Sequence, residues 1–174
     1  EDIKFDLVFV ATGRLHDSVN EIMPEKALSQ LDGNKISETM WINAIGPSLI
    51  AKELVPKLRR DDKSIFAALT ARVGSISDNH LGGWYGYRAA KSALNMMIKS
   101  ISIETKRRNK KAIIVGIHPG TVDTNLSKPF QKNIKPEKIF TSQFSVSKIL
   151  ELLEQLNDSH SGKLFAWDGA EIQP

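Results

Sequence analysis

Tyr87 and Lys91 stand four residues apart in the stretch Tyr85-Gly86-Tyr87-Arg88-Ala89-Ala90-Lys91-Ser92-Ala93-Leu94-Asn95, just ahead of an apolar-periodic run. On a helix that spacing is one face. A phenol beside an ammonium is a candidate proton donor, because a nearby positive charge favours phenolate and draws the tyrosine pKa down from about 10. Reaching neutrality takes about three units, or about 4 kcal/mol. The same spacing also arises when a tyrosine packs at a helix start with a solvated lysine one turn on. The surrounding residues must decide between the two.

The elements that would position the pair alternate. Phe5 to Ala11 is a nearly continuous apolar run, the pattern of a parallel strand covered on both faces. A helix is predicted from about Lys35 to Arg59, then a strand at Ser64 to Leu69. A Gly-rich connection through Gly82-Gly83 leads to a long helix from about Tyr85 to Arg108, with Ala89, Ala93, Met96, Met97, Ile101 and Ile103 at helical spacing. A third strand is expected at Ala112 to Ile117, a helix near Val146 to Leu156 and a last strand at Lys163 to Trp167. Strands alternating with long helices imply an α/β fold with a parallel sheet and right-handed crossovers. The connection from His118 to Ser142 is long enough to read as a lid or binding loop.

The 174 residues are 41% hydrophobic and 25% charged, the balance of one globular domain spanning 1–174. No apolar run approaches the ~20 residues of a membrane span, and no charged-then-apolar leader opens the chain, so neither membrane insertion nor secretion is expected. The chain has no cysteine, which removes thiol chemistry and fits a reducing, cytoplasmic setting. The net charge of +4 comes from short clusters such as Arg59-Arg60, Lys106-Arg107-Arg108 and the lysines between 128 and 138. No aromatic residues alternate with them to stack bases, so they read as solvated surface and not as a nucleic-acid face. Histidines 16, 80, 118 and 160 lack ligand spacing, and no metal site is expected.

Four motifs in order carry a resemblance: Gly74-Ser75-Ile76-Ser77-Asp78-Asn79, Gly82-Gly83-Trp84-Tyr85, the Tyr87 to Asn95 stretch, and Pro119-Gly120-Thr121-Val122-Asp123-Thr124. Almost end to end, the chain resembles the later two thirds of a short-chain dehydrogenase/reductase, and within that superfamily its C-factor-like members. The implied fold is a Rossmann-like doubly wound parallel sheet lacking its first β-α-β-α-β segment. The implied activity is an NAD(P)-dependent oxidoreduction between a carbonyl and an alcohol on a small molecule.

By that resemblance Tyr87 is the general acid/base, and Lys91 lowers its pKa and holds the nicotinamide ribose. Asn43, in Trp41-Ile42-Asn43-Ala44, holds a water linking the lysine to solvent. A mid-helix asparagine has poor propensity, although an exposed one is tolerated. Pro119, Gly120, Val122 and Thr124 hold the nicotinamide end of NADP or NAD, with Gly13 allowing close approach; without the resemblance, Pro119-Gly120 is a turn. The loop from Leu126 to Ser142, with Pro129-Phe130, Ile139-Phe140 and the nearby Phe144, closes over a partly apolar substrate. The family's habit implies a homodimer or homotetramer through the helices at 35–59 and 85–108.

Two positions depart from the family pattern. Ala71 stands where the family's catalytic serine is usual, and alanine cannot hydrogen-bond a carbonyl; Thr70 or Ser75 could supply a hydroxyl, and the role is assigned to Thr70. Val10-Ala11-Thr12-Gly13 replaces a run that in many relatives is Asn-Asn-Ala-Gly. The chain also contains no glycine-rich strand-turn-helix fingerprint for a dinucleotide pyrophosphate. Because the chain opens on Glu1 with an apolar strand, the expectation is that this segment precedes Glu1 in a longer protein. The alternative is a non-catalytic cofactor-sensing, signalling or interaction protein of the same fold.

Overall fold

The structure is a computed structural model and describes residues 3–20 and 22–174. Four parallel strands form the main sheet in the order β1 (Leu7–Val10), β2 (Ser64–Leu69), β3 (Ala112–His118) and β6 (Leu164–Ala166). Ile65 pairs with Leu7 on one side and with Ile113 on the other. The apolar runs of β2 and β3 are buried on both faces, as expected of a parallel sheet.

Between β1 and β2 the chain forms α1 (Gly33–Met40), a π-helical turn (Trp41–Ile45) and α2 (Gly46–Leu54). Between β2 and β3 lies α3 (Tyr85–Arg108), and before β6 lies α4 (Ser142–Gln155). One core joins Val8, Val10, Phe66, Ala68 and Ile114 to Ala44, Ala51, Leu94 and Ile98 on the α2 and α3 side. The second core joins Ile65, Ala67, Ile113, Val115 and Ile117 to Ile149, Leu152 and Leu153 of α4 on the opposite face. The architecture is Rossmann-like, with helices on both faces of a parallel sheet.

Several expectations need correction. β1 is an edge strand and not one covered on both faces: Val8 and Val10 are buried, but Leu7 is 40% and Phe9 36% exposed. The second core packs α4 against β2, β3 and β6 and includes no residue of β1. The helix expected from Lys35 begins at Gly33, because the Asp32 carboxylate accepts hydrogen bonds from the Asn34 and Lys35 amides. Its α-helical part ends at Leu54, where Val55-Pro56-Lys57 tightens into a 3-10 turn.

The 118–142 connection is structured. It carries β4 (Thr121–Val122) and β5 (Ile139–Phe140), paired in parallel, with 3-10 turns at Lys128–Asn133 and Pro136–Lys138. Helix α4 starts four residues earlier than its apolar periodicity suggests, because Thr141 caps it by accepting from the Phe144 amide. Among the described residues no helix is long and apolar enough to cross a membrane.

Candidate active site

The carboxyl ends of β1, β2 and β3 open on one cavity of about 690 Å³, the position where open parallel sheets hold ligands. Phe9 and Ala11 follow from β1, Leu69, Ala71 and Val73 from β2, and His118 to Val122 from β3. Tyr87 enters from the start of α3, and Ser145 and Ile149 from α4.

Tyr87 is fixed by an unusual helix start. Gly82, Gly83 and Trp84 all have positive φ, at 63°, 62° and 52°, and Trp84 is the one non-glycine residue of this kind among those described. The Trp84 amide donates to the Glu25 carbonyl oxygen, and the Gly86 amide donates to the Glu25 carboxylate at 3.0 Å. An acidic group at a helix N-terminus is favourable. A Cβ on Gly86 would lie 2.9 Å from that carboxylate, so this close approach needs glycine.

One turn on, Lys91 is only 2% exposed. Its Nζ donates to the Leu69 carbonyl oxygen at 2.9 Å and lies 5.7 Å from the Tyr87 ring centroid. The expected lowering of the phenol pKa is not found in this ligand-free arrangement. Burial pushes Tyr87 up to about 12 and Lys91 down to about 8, because both charged forms lose hydration on burial. Desolvation outweighs the attraction between them.

Asn43 is fully buried within the π-helical turn. Its amide nitrogen donates to the carbonyl oxygens of Arg14 and Thr39 at 2.8 and 3.0 Å, and its Oδ1 accepts from the Arg14 amide at 3.0 Å. The side chain thus ties α1 to the loop leaving β1. Gly13 sits against it: a Cβ there would lie 3.2 Å from Asn43 Oδ1 and 3.6 Å from Lys91 Nζ. Gly13, Asn43, Lys91 and Tyr87 therefore form one contiguous group.

Thr70 does not join that group. Its Oγ1 donates to Asn95 Oδ1 on α3, and it is 4% exposed and absent from the cavity lining. Alternation along the strand end turns Leu69 and Ala71 toward the cavity and Thr70 toward α3. The assignment of a carbonyl-binding hydroxyl to Thr70 is corrected accordingly. Ser75 is engaged as well, donating to the Gln173 carbonyl oxygen and accepting from the Asp78 amide.

Pro119, Gly120, Val122 and Thr124 all line the cavity. Gly120 has φ of 77°, and a Cβ there would lie 2.6 Å from the Phe140 ring. Ser127 Oγ donates to the Val122 carbonyl oxygen, and the Asp123 amide donates to that of Phe140. These contacts present a short rigid edge of backbone to the cavity. Together with the bare backbone at Gly13, it fits the flat nicotinamide end of a dinucleotide.

Sequence reasoning missed three residues. Trp84 lines the cavity, with its ring centroid 6.3 Å from Tyr87 and 5.0 Å from Phe130; its place directly after two glycines was the available signal. His118, read only as one of four scattered histidines, also lines the cavity. Its pKa is pushed down to about 4 by burial and by the Arg72 charge. Arg14 is half-buried and paired with Asp17 and Glu38, its Nε and Nη2 lacking protein partners; no periodic pattern marks it.

Comparison with known proteins identifies the lineage. The family model described as short chain dehydrogenase matches residues 6–135. The chain is 35% identical over 146 residues to C-signal of Myxococcus xanthus, covering 84% of this chain and 82% of that protein. It is 28% identical over 171 residues to 1-hydroxy-2-glutathionyl-2-methyl-3-butene dehydrogenase of Rhodococcus sp. (strain AD45), covering 98% of this chain and 69% of the relative. Among solved structures, carbonyl reductase Sniffer of D. melanogaster superposes with a TM-score of 0.84 at 21% identity, over 100% of this chain and 68% of its own. The NADPH-bound carbonyl reductase from chicken fatty liver gives 0.82 at 22% identity, over 99% and 67%. These structures share the fold seen here, and the matched segment contains the Tyr87 and Lys91 stretch and the Pro119-Gly120 turn: the chain belongs to the short-chain dehydrogenase family.

Proposed function

We propose that this protein is an NAD(P)-dependent oxidoreductase interconverting a carbonyl and an alcohol on a small molecule, with Tyr87 as the proton donor and acceptor. The observation that carries the reading is the buried pair of Tyr87 and Lys91 at the wall of a cavity built on the carboxyl ends of the sheet. Relatives named as dehydrogenases and neighbours named as carbonyl reductases, two of them holding NADP or NADPH, support the reaction class.

A reduced nicotinamide supplies hydride when bound. Gly13, Lys91, Pro119, Gly120, Val122 and Thr124 would hold that end of the cofactor. Tyr87 gives its proton to the developing alkoxide, and its 9% exposure limits exchange with bulk water. General acid catalysis of this kind contributes about 10²- to 10⁴-fold. Asn43 fixes the loop carrying Gly13 against Lys91. The segment from Leu126 to Ser142 closes the cavity through Phe130 and Ile134. Pairing of two copies through α1–α2 and α3 is supported by exposed Trp41, Leu49, Met96, Met97 and Ile103; one domain acting in the cytoplasm completes the reading.

The test is Tyr87→Phe. Turnover of a carbonyl substrate falls by at least about 10²-fold while nicotinamide binding changes little; retained activity would falsify the assignment. A second reading, a non-catalytic cofactor-sensing or signalling protein, is favoured by Ala71 at the cavity and by the engaged hydroxyls of Thr70 and Ser75. Titration of cofactor fluorescence with the wild type and Lys91→Ala separates the readings: turnover with wild-type binding supports the enzyme, and binding without turnover supports the sensor.

A further inference from the structure

We infer that the substrate of this site is a flat, uncharged aryl ketone or aldehyde, selected by an aromatic wall made by Trp84 and Phe130. The inference rests on the oxidoreductase reading and names the substrate class for that site. The Trp84 ring stands between Tyr87 and Phe130, in edge-type contact with each, at interplanar angles of 75° and 63°. His16 extends the row, its ring 5.8 Å from that of Phe130. Aromatic pairs prefer these edge and offset arrangements, and an aryl ligand laid along the row continues them.

The wall is built with effort. Trp84 carries its bulky side chain on left-handed backbone, a conformation that costs energy for any residue with a Cβ. Arg88 secures the adjoining turn by donating to the carbonyl oxygens of Gly83 and Val73, and Glu25 receives the Trp84 amide. Strain maintained beside the proton donor points to a positioning demand, since glycine at this place would fold with less strain.

Charge narrows the class. Among the described residues, those lining the cavity include no Asp, Glu, Lys or Arg. Around Trp84 and Phe130 the lining is Ala71, Val73, Leu126 and Ile134. A carboxylate or ammonium on the ligand would lose its water and gain no partner.

Three ketones of similar size test the inference: acetophenone, para-acetylbenzoate and cyclohexyl methyl ketone. Affinity is measured by calorimetry in the presence of oxidised nicotinamide cofactor, where no turnover occurs. Acetophenone is expected to bind at least about tenfold tighter than para-acetylbenzoate and about three- to tenfold tighter than cyclohexyl methyl ketone. Trp84→Gly erases the second preference while its melting temperature holds or rises, and Phe130→Ala weakens the preference independently. Equal binding of all three ketones, or an unchanged preference in both variants, overturns the inference. Reduction of each ketone by NADPH is followed separately. Selective binding without reduction upholds the wall and removes the oxidoreductase reading; reduction without selectivity does the reverse.

Discussion

Lys91 holds its ammonium 5.7 Å from the ring centroid of Tyr87 while donating to the Leu69 carbonyl oxygen at 2.9 Å. The lysine is thus anchored to the end of β2, and both members of the pair have been taken out of water. Their titration is therefore coupled to folding.

For Lys91, a folded pKa of about 8 against an ordinary value of 10.5 means that the unfolded chain binds more protons between those limits. Stability accordingly rises with pH from about 8 to about 10. Tyr87, raised from 10.0 to about 12, has the opposite sign: its contribution is complete below pH 10 and is lost as pH climbs to 12. Thermal melts from pH 7 to 12 should pass through a maximum near pH 10. Lys91→Met should flatten the rising limb and add about 2–3 kcal/mol at pH 7. A rising limb retained in that variant would assign it to another group.

The hydroxyl of Thr70 serves α3 and not the cavity. Thr70→Val should cost about 1–2 kcal/mol through the buried oxygen it leaves on Asn95, and should alter turnover of the folded protein by less than about threefold. Ala71→Ser, on ordinary extended backbone at φ −151°, places a donor at the cavity. It should raise turnover by about tenfold or more, one added donor being the kind of change that alters rates most. Steady-state kinetics beside urea unfolding separates the two effects, and a larger kinetic loss in Thr70→Val would return the catalytic hydroxyl to Thr70.

Asn43→Ala removes three hydrogen bonds and leaves the Arg14 and Thr39 backbone groups without partners. Destabilisation of about 2–4 kcal/mol is expected, with amide hydrogen exchange accelerated at Arg14 well beyond its level in the core strands. Unchanged exchange at Arg14 would mean that the loop is held by something else.

Gly120→Ala combines a positive φ with a methyl 2.6 Å from the Phe140 ring. A loss of about 2–4 kcal/mol follows from backbone strain and overpacking together. Nicotinamide binding should weaken in parallel as the Pro119 to Val122 edge shifts. Gly13→Ala, whose contacts are looser and whose φ is not strained, should be milder in stability while still weakening the cofactor; titration of both variants compares them directly.

The long helix carrying Tyr87 and Lys91 and the doubly buried strands β2 and β3 were legible because periodicity and apolar runs report burial directly. The ordered residues between 118 and 142 were not, because the β4–β5 pair is only two residues long on each side and depends on a partner distant in sequence. At the site, the residue types were legible and their directions were not. Thr70 and Ala71 are neighbours in sequence, and strand alternation at the exit of β2 decides which of them meets the cavity. The tyrosine pKa was misjudged for a related reason: spacing reveals that a lysine is near but not that both groups are dry. Trp84 went unnoticed because its importance lies in a backbone angle.

The π-helical turn at Trp41–Ile45 sets the rotational phase between two helical segments that serve different neighbours, α1 packing on α3 and α2 reaching β1. A wider turn holds one more residue than an α-helical turn does, so deleting any single residue there would restore a regular helix and rotate everything after it by about 100°. Ala44 and Ala51 would leave the core and Asn43 would lose its loop. The chain should therefore accept most side-chain changes on the outer surface of this helix, but no change in its length.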